Sequence, residues 1–227
     1  MDLKLVTYNI RKAIGLDRRR DPRRILDVIS RLDADVVILQ EADRRLGQRP
    51  SALPRGLLAS ETDLVPVPLA ANSVSLGSHG NAILVRKDVA FGNPTRIELP
   101  GLEPRGAVSV DIAGKLTLVG THLGLMRRYR HQQMRVLADK LSASPLPTAV
   151  LGDFNEWSPK RGFEPLEVEF DVHAPGKSFH ASRPVAELDR IAISPGIEIR
   201  DSGVDQTGLA KIASDHLPVW VNIRVGG

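Results

Sequence analysis

The chain has 227 residues, 42% of them hydrophobic, which predicts a globular protein with a large core, organised as a single domain over residues 1–227. It contains no cysteine, and this excludes a disulfide framework, a cysteine-ligated zinc site and a thiol nucleophile. The formal net charge of +4 is a mild excess, which permits an anionic substrate without identifying nucleic acid.

The N-terminal part of the chain predicts a strand, a helix and a second strand. Residues 3–8 alternate in hydrophobicity as a strand does, and Asn9 follows them. An Asp-Pro pair opens a helix over residues 22–32, where apolar residues recur at helical spacing. The apolar run 36–39 predicts a buried strand that leads to Glu41. Because no signal peptide precedes the first strand and no apolar run approaches transmembrane length, we expect a cytoplasmic protein without a membrane span.

The middle of the chain predicts loops, single strands and a hairpin. Residues 44–78 are rich in Gly and Pro and predict loops with one short strand near residues 63–67. Strands are predicted over residues 81–86 and 89–99, the second interrupted by an Asn-Pro pair. Residues 107–120 predict a hairpin around an Ala-Gly turn.

The following segment repeats the order of the first. The hairpin runs into His122, a helix is predicted up to residue 141, and the buried strand 148–151 leads into Asp153. A strand, a polar residue, a basic segment, a helix, a buried strand and a carboxylate thus occur twice. This order predicts a structural duplication with two similar halves facing each other. The remainder is predicted as an irregular segment followed by strands, at residues 156–182, 188–193, 197–199 and 218–225.

Asp153 and Asn155 follow the second buried strand directly. In an extended segment, residues i and i+2 lie on the same side, so both side chains are predicted to converge on one point. A carboxylate beside an amide can deprotonate a water molecule and bind an anion. The alternative is a turn in which both side chains bond their own backbone.

Glu41 ends a buried strand, where a carboxylate is rarely found unless it is exposed, paired or bound to a metal. Together with Asn9 and Asp215 it would form a site made of oxygen ligands only. Such ligands suit Mg²⁺, with Mn²⁺ as the alternative. A solvated strand end is the other interpretation of Glu41.

Two histidines, His122 and His216, flank predicted strands in this pattern, and each is either functional or structural. Asp189 is a candidate partner for His216, because a carboxylate that holds one imidazole nitrogen fixes the tautomer and favours the charged form. Asp189 can instead pair with Arg190 or Arg183.

Four further residues are candidates for substrate contacts: His79, Asn81, Arg105 and Trp157. Arg105 lies in a restricted Pro-Arg-Gly stretch that would hold its guanidinium in place, and Trp157 can stack on a substrate. Simpler interpretations are a turn residue for Asn81, an exposed surface arginine for Arg105 and a core residue for Trp157. Residues 18–24 and 127–130 are predicted as basic loops that either guide an anion or are solvated helix entries, and we adopt the second interpretation for most of their residues.

Taken together, these residues resemble the endonuclease/exonuclease/phosphatase superfamily of magnesium-dependent phosphoesterases. The resemblance is carried, in chain order, by Thr7-Tyr8-Asn9-Ile10, Leu39-Gln40-Glu41, His79-Gly80-Asn81, Thr121-His122-Leu123, Gly152-Asp153-Phe154-Asn155, Leu188-Asp189-Arg190-Ile191 and Ser214-Asp215-His216. It covers nearly the whole chain. It implies an α+β fold, a four-layer αββα sandwich of two mixed β-sheets face to face with helices outside, and a site at one end of the sheets.

The resemblance also implies a role for each site residue. Glu41 looks like the principal Mg²⁺ ligand, assisted by Asn9 and, through water, by Asp215. Asp153 looks like the base that orients and deprotonates the attacking water. Asn155, His122 and His216 look like the phosphate-binding groups. Asp189 looks like the residue that orients His216.

The leading hypothesis is therefore a metal-dependent hydrolase that cleaves phosphoester bonds, in the first place phosphodiesters, by in-line attack of water activated by Asp153. A DNA or RNA nuclease is the alternative, although the short chain leaves little room for insertions that follow a DNA duplex. A non-catalytic protein that binds phosphorylated ligands is a third hypothesis. We expect a monomer without an obligate protein partner, acting on nucleic acid, a phospholipid head group or a small molecule.

Overall fold

The computed structural model describes residues 1–226 and contains two six-stranded β-sheets. Its strands are β1 (Asp2–Asn9), β2 (Val36–Gln40), β3 (Leu64–Pro66), β4 (Ala82–Arg86), β5 (Phe91–Leu99), β6 (Arg105–Ile112), β7 (Leu116–His122), β8 (Thr148–Asp153), β9 (Asp171–His173), β10 (Asp189–Ile193), β11 (Ile197–Val204) and β12 (Val219–Val225). Its helices are α1 (Pro22–Leu32), α2 (Arg55–Glu61), α3 (Arg127–Leu141) and α4 (Ala210–Ala213), with a 3-10 turn at Arg11–Ala13. Within residues 1–226, no helix combines the length and the hydrophobicity that crossing a membrane requires.

The two sheets have the same internal order, which confirms the predicted duplication. The first sheet is ordered β11-β12-β1-β2-β4-β3 and the second β5-β6-β7-β8-β10-β9. The two strands in the middle of each sheet, β1 with β2 and β7 with β8, are parallel, and their neighbours pair antiparallel. Each parallel pair is connected through a helix, α1 or α3, because parallel strands need a crossover connection.

Strand β2 shows how side chains divide between the layers. Val36 and Ile38 join the core between the two sheets, whereas Val37 and Leu39 join the core between the first sheet and α1. All five residues of β2 are buried, as its uninterrupted apolar run predicts. The second sheet packs in the same way against α3. The predicted α+β fold, a four-layer αββα sandwich with helices outside, is thus confirmed.

Helix α1 begins and ends where its sequence predicts. The Asp21 carboxylate accepts the backbone N–H of Arg24 at 3.1 Å, which caps the helix ahead of Pro22. The helix ends at Leu32 because Asp33 has a left-handed φ of 45°. The chain is thereby returned to the start of β2, which runs parallel to β1.

The structure differs from the sequence prediction in several short elements. Helices α2 and α4 and strand β9 were not expected, because each is short and α2 buries only Leu58, so it has no amphipathic pattern. The prediction of a loop at residues 127–130 is wrong, since these residues form the first turn of α3. Asn93, with a φ of 51°, does not end its strand and instead produces a register shift typical of a bulge within β5.

The ends of the parallel strands carry the candidate site residues. The pairing places Asn9 of β1 beside Gln40, directly before Glu41, and His122 of β7 beside Asp153 of β8. The Asn9 Nδ2 atom donates a hydrogen bond to Asp153 Oδ2 at 3.0 Å. The parallel strands of both sheets therefore end at the same edge of the sandwich, where their side chains meet.

Candidate active site

Asp153 lies at the centre of the site and is only 1% exposed. Its Oδ2 atom accepts the hydrogen bond from Asn9 and lies 3.3 Å from His122 Nε2 and 3.5 Å from His216 Nε2. Asn9 and His216 flank strands of the first sheet, whereas Asp153 and His122 end strands of the second. One carboxylate oxygen therefore gathers side chains from both halves of the fold.

His216 is held by a second carboxylate. Its Nδ1 atom lies 2.8 Å from Asp189 Oδ2, and the Ser178 hydroxyl donates to the same oxygen. Burial opposes a charge on the imidazole, but Asp189 and Asp153 outweigh burial and raise the pKa of His216 to about 10. His216 is therefore an imidazolium at neutral pH. Of the pairings open to Asp189, the structure shows the one with His216.

His122 has the opposite protonation state. Burial is the main cause that lowers the pKa of His122 to about 3, and the charges of Arg105 and His216 act in the same direction, against Asp153. His122 is therefore neutral at neutral pH. A charged and a neutral imidazole thus face the same carboxylate oxygen, and each can donate a hydrogen bond.

The geometry of Asn155 differs from its prediction. Strand β8 ends at Asp153, and Asn155 has a left-handed φ of 52°, so the two residues do not lie on one side of an extended segment. The Asn155 backbone N–H donates to Asp153 Oδ1 at 2.9 Å, and Asn155 Nδ2 donates to the Leu123 carbonyl at 2.8 Å. Asn155 therefore takes part in the hydrogen bonding of a turn. It also belongs to the site, because it lines the same cavity as Asp153.

The three residues predicted as metal ligands, Glu41, Asp215 and Asn9, line that cavity too. Glu41 follows β2 with a left-handed φ of 52°, and its carboxylate pairs with Lys12 Nζ. Asp215 Oδ2 lies 3.3 Å from Arg11 Nε. Both carboxylates therefore face a cationic side chain from the turn after β1.

This donor set fits Mg²⁺ or Mn²⁺. Two carboxylates and an amide oxygen form an oxygen-only set, which these ions prefer and complete with several waters. Within residues 1–226, no three His, Cys, Asp or Glu side chains converge as a cation cage. A bound ion would therefore have few protein ligands. Glu41 already contacts Lys12 and Asp215 already contacts Arg11, so both carboxylates lie where a positive charge is stabilised.

A cavity of about 360 Å³ joins these residues, and we call it the central cavity. Trp157, 61% exposed, forms part of its wall, with its ring edge-on to Phe179 at a centroid distance of 5.8 Å. Phe179 packs in turn against the His216 ring at 5.0 Å. Arg105, 8% exposed, lines the cavity as well. Trp157 is therefore not a core residue, and Arg105 is not an exposed surface arginine.

His79 and Asn81 lie outside the central cavity. Asn81 is fully buried and donates from Nδ2 to the Gly106 carbonyl at 2.9 Å, so it ties the start of β4 to β6. Its side chain is shielded from solvent, and the substrate contact of Asn81 stays a prediction. His79 Nε2 lies 3.0 Å from Glu98 Oε2, and the ring lines an adjoining cavity.

Six residues that line the central cavity are absent from the predicted site: Arg11, Lys12, Arg45, Leu125, Phe179 and Leu188. Arg11 and Lys12 lie two and three residues after Asn9, so their position close to a predicted ligand is the signal that points to them. Phe179 lies in the segment predicted as irregular, and no sequence pattern connects it to His216.

Comparison with known proteins agrees with the fold. The model of the Endonuclease/Exonuclease/phosphatase family matches residues 6–216. YbhP of Escherichia coli strain K12, an uncharacterised protein, is 27% identical over 98% of this chain and 96% of YbhP. D. rerio TDP2 complexed with single strand DNA product has a TM-score of 0.74 and 16% identity over 99% of each chain. Mannosyl-6-phosphatase Bt3783 of Bacteroides thetaiotaomicron has the same TM-score of 0.74 and 16% identity, over 98% of this chain and 99% of Bt3783. The chain described here belongs to the endonuclease/exonuclease/phosphatase family.

Proposed function

We propose that this protein is a metal-dependent phosphodiesterase that hydrolyses its substrate by in-line attack of water on phosphorus. The convergence on Asp153 carries the proposal: Asp153 Oδ2 lies within 3.5 Å of nitrogens on Asn9, His122 and His216. Glu41 lines the same cavity. A carboxylate beside a charged and a neutral imidazole supplies both a base and groups that stabilise an anion.

Glu41, Asp215 and the amide oxygen of Asn9 would hold a Mg²⁺ or Mn²⁺ ion. When bound, the ion neutralises charge on the phosphate oxygens and assists departure of the leaving alkoxide. Lys12 pairs with Glu41 and Arg11 pairs with Asp215, so each carboxylate has a cationic partner.

The protein's own residues account for the proton and charge movements. Asp153 orients the attacking water and takes its proton while the water oxygen forms its bond to phosphorus. The bond from phosphorus to the leaving oxygen breaks, and the alkoxide takes a proton from solvent. His216, charged, and His122, neutral, donate hydrogen bonds to the phosphate oxygens as negative charge develops. Asn155 completes this wall, and Asp189 holds His216 in place.

A nuclease activity is the second candidate. The exposed ring of Trp157 at the wall of the central cavity offers a surface on which a base can stack. TDP2, which shares the fold, is complexed with a single strand DNA product, whereas Bt3783 is a mannosyl-6-phosphatase. The fold therefore serves more than one class of phosphoester.

The chemistry is tested with bis(4-nitrophenyl) phosphate. We expect hydrolysis in Mg²⁺, loss of hydrolysis with EDTA, and recovery when Mg²⁺ is restored. Asp153→Ala and His216→Ala are each expected to lower kcat by about 100-fold or more, because a base or a charge-stabilising donor is lost. Asp171→Ala removes an exposed carboxylate and serves as the matched control. Turnover at the wild-type rate in the Asp153 or His216 variant would contradict the mechanism.

The substrate class is tested separately. Nicked, abasic and single-stranded nucleic acids are incubated with the protein and Mg²⁺, and the absence of cleavage in every one would exclude a nuclease. Tight binding of a phosphorylated ligand without turnover in any divalent metal would indicate a non-catalytic protein instead.

A further inference from the structure

A second cavity, of about 480 Å³, adjoins the central cavity, and we call it the adjoining cavity. Its walls come from the segment after β2, the turn before β4 and the start of β6, and include Arg45, Arg49, His79, Glu103 and Arg105. The two cavities share part of their lining, namely Lys12, Glu41, Arg45, Arg105, His122 and Leu125. A substrate whose phosphate lies against His122 can therefore extend into the adjoining cavity.

The adjoining cavity is lined by four cationic side chains, Lys12, Arg45, Arg49 and Arg105, and by three carboxylates, Glu41, Asp43 and Glu103. Asp43 is buried, and its two oxygens accept the backbone N–H groups of Leu76 at 2.6 Å and Gly77 at 3.3 Å. Its hydrogen-bonding capacity is therefore directed at the backbone. Arg45 is exposed and Arg49 is half-buried on the same segment, and both line the cavity. Arg45 Nη2 lies 3.5 Å from Glu41 Oε1, whereas Arg49 lines only this cavity.

Arg105 provides an unused hydrogen-bond donor at the junction of the two cavities. Its Nη2 atom donates a hydrogen bond to Glu103 Oε2 at 2.7 Å. The residue is only 8% exposed, and its Nε atom is buried without a hydrogen-bond partner. An unpaired buried N–H is costly, and an acceptor oxygen from a ligand would relieve that cost.

The His79 ring gives the adjoining cavity a fixed wall. A side chain at Gly106 would meet the His79 ring at 2.8 Å, so glycine is needed for the ring to lie against β6. His79 Nε2 is held by Glu98 at 3.0 Å, and Nδ1 is buried without a partner. The wall thus carries a second polar nitrogen without a partner.

We propose that the adjoining cavity binds a second phosphate of the substrate, with Arg49, Arg45 and Arg105 as its recognising groups. The substrate class is then a phosphodiester that carries another phosphate about one monomer unit from the scissile one. This inference rests on the proposed function, because it takes the central cavity as the place of the scissile phosphate. Arginine suits the task, since its planar guanidinium binds phosphate oxygens in pairs. An oligonucleotide and a phosphorylated glycerophosphoinositol share this chemistry.

Binding measured by calorimetry with EDTA present tests the inference without dependence on turnover. The probes are two matched pairs: thymidylyl-thymidine with and without a 5′-phosphate, and glycerophosphoinositol with and without a ring phosphate. We expect the wild-type protein to bind the additionally phosphorylated member of at least one pair about tenfold or more tightly. The pair that shows the difference identifies the source of the second phosphate.

Charge reversal locates the second phosphate. Arg49→Glu should abolish the difference within the pair, because Arg49 lines only the adjoining cavity. Arg44→Glu makes the same charge change on the same segment at an exposed residue that lines neither cavity, and it should preserve the difference. Circular dichroism and thermal unfolding verify that both variants fold. Equal affinities within both pairs, or equal losses in the two variants, would overturn the inference.

The proposed function fails or stands on a different result, the hydrolysis of bis(4-nitrophenyl) phosphate, which has no second phosphate. If that compound is hydrolysed but both probe pairs show equal affinities, the second-phosphate site is refuted and the proposed phosphodiesterase function is retained. If binding differs within a pair in a way that depends on Arg49 but no hydrolysis occurs, the phosphate-binding cavity is retained and the proposed enzymatic function is refuted.

Discussion

His216 Nδ1 lies 2.8 Å from Asp189 Oδ2, although His216 precedes β12 of the first sheet and Asp189 opens β10 of the second. The contact joins the two halves of the sandwich at the edge where the site lies. It also places a negative charge behind an imidazole whose other nitrogen faces Asp153. The position and the charge of His216 thus depend on the packing of one sheet against the other.

Asp189→Asn tests this relationship, because it removes the charge and retains the shape of the side chain. We expect kcat for bis(4-nitrophenyl) phosphate to fall about 10–100-fold, with a smaller change in KM, since His216 loses the group that orients it. Steady-state kinetics separate the two constants, and Asp171→Asn is the control at an exposed carboxylate. A change in KM alone would show that Asp189 acts on binding and not through His216.

Gly152→Ala is expected to displace the catalytic carboxylate. A Cβ atom at Gly152 would overlap the backbone carbonyl of Thr121 on the neighbouring strand β7, and backbone cannot move aside as a flexible side chain can. We expect a loss of about 1–3 kcal/mol in the free energy of unfolding, together with lower kcat, because Asp153 is the next residue. Urea unfolding and kinetics measure the two effects. Gly92→Ala, where the added atom meets open space, should change neither, and equal effects in both variants would refute the explanation.

His122 makes stability depend on pH in the acid range. Burial, the main cause, lowers the pKa of His122 to about 3 in the folded protein, against 6.5 for a solvated histidine in the unfolded chain. Between these values the unfolded chain binds more protons than the folded one, so the free energy of unfolding falls as pH falls. The slope contributed by His122 is at most about 1.4 kcal/mol per pH unit, and the contribution is complete above the unfolded pKa.

The comparison of His122→Gln with the wild type separates the contribution of His122 to the pH dependence of stability from that of the carboxylates. Urea unfolding between about pH 7.5 and 4.5, with EDTA present, should show a shallower decline for His122→Gln. His173→Gln removes an exposed histidine and should decline as the wild type does. Parallel declines for all three proteins would show that folding does not lower the pKa of His122.

Arg130 and Glu156 form a buried ion pair next to the site. Arg130 Nη2 lies 2.7 Å from Glu156 Oε2, and both side chains are about 6% exposed. Arg130→Ala leaves Glu156 charged and unpaired in the interior, so we expect a loss of about 3–5 kcal/mol by urea unfolding. The Arg130→Met/Glu156→Gln double variant removes both charges and should recover most of that loss. Arg224→Ala breaks an exposed pair and should have a much smaller effect, and a similar loss there would contradict the argument.

The elements that the sequence predicts well are those whose signals are local. The Asp21 cap, the apolar face of α1 and the apolar run of β2 each report on neighbouring residues, and each is found where expected. Helix α2 is the counterexample, since it buries only Leu58 and is held by packing instead of by its own pattern. The left-handed backbone of Asn155 matches the turn that the sequence left open as an alternative, because asparagine adopts a positive φ more readily than most residues other than glycine.

For this protein the sequence by itself determined which chemical groups follow the strands and in what order, from Asn9 and Glu41 to Asp153 and His216. Only the tertiary structure decided how they interact: Asn9 reaches Asp153 across 144 positions of chain. It also decided that His122 is neutral and His216 charged, although both are the same residue type. The physical reason is that a pKa is set by burial and by nearby charges, and both are brought to a residue by distant parts of the chain.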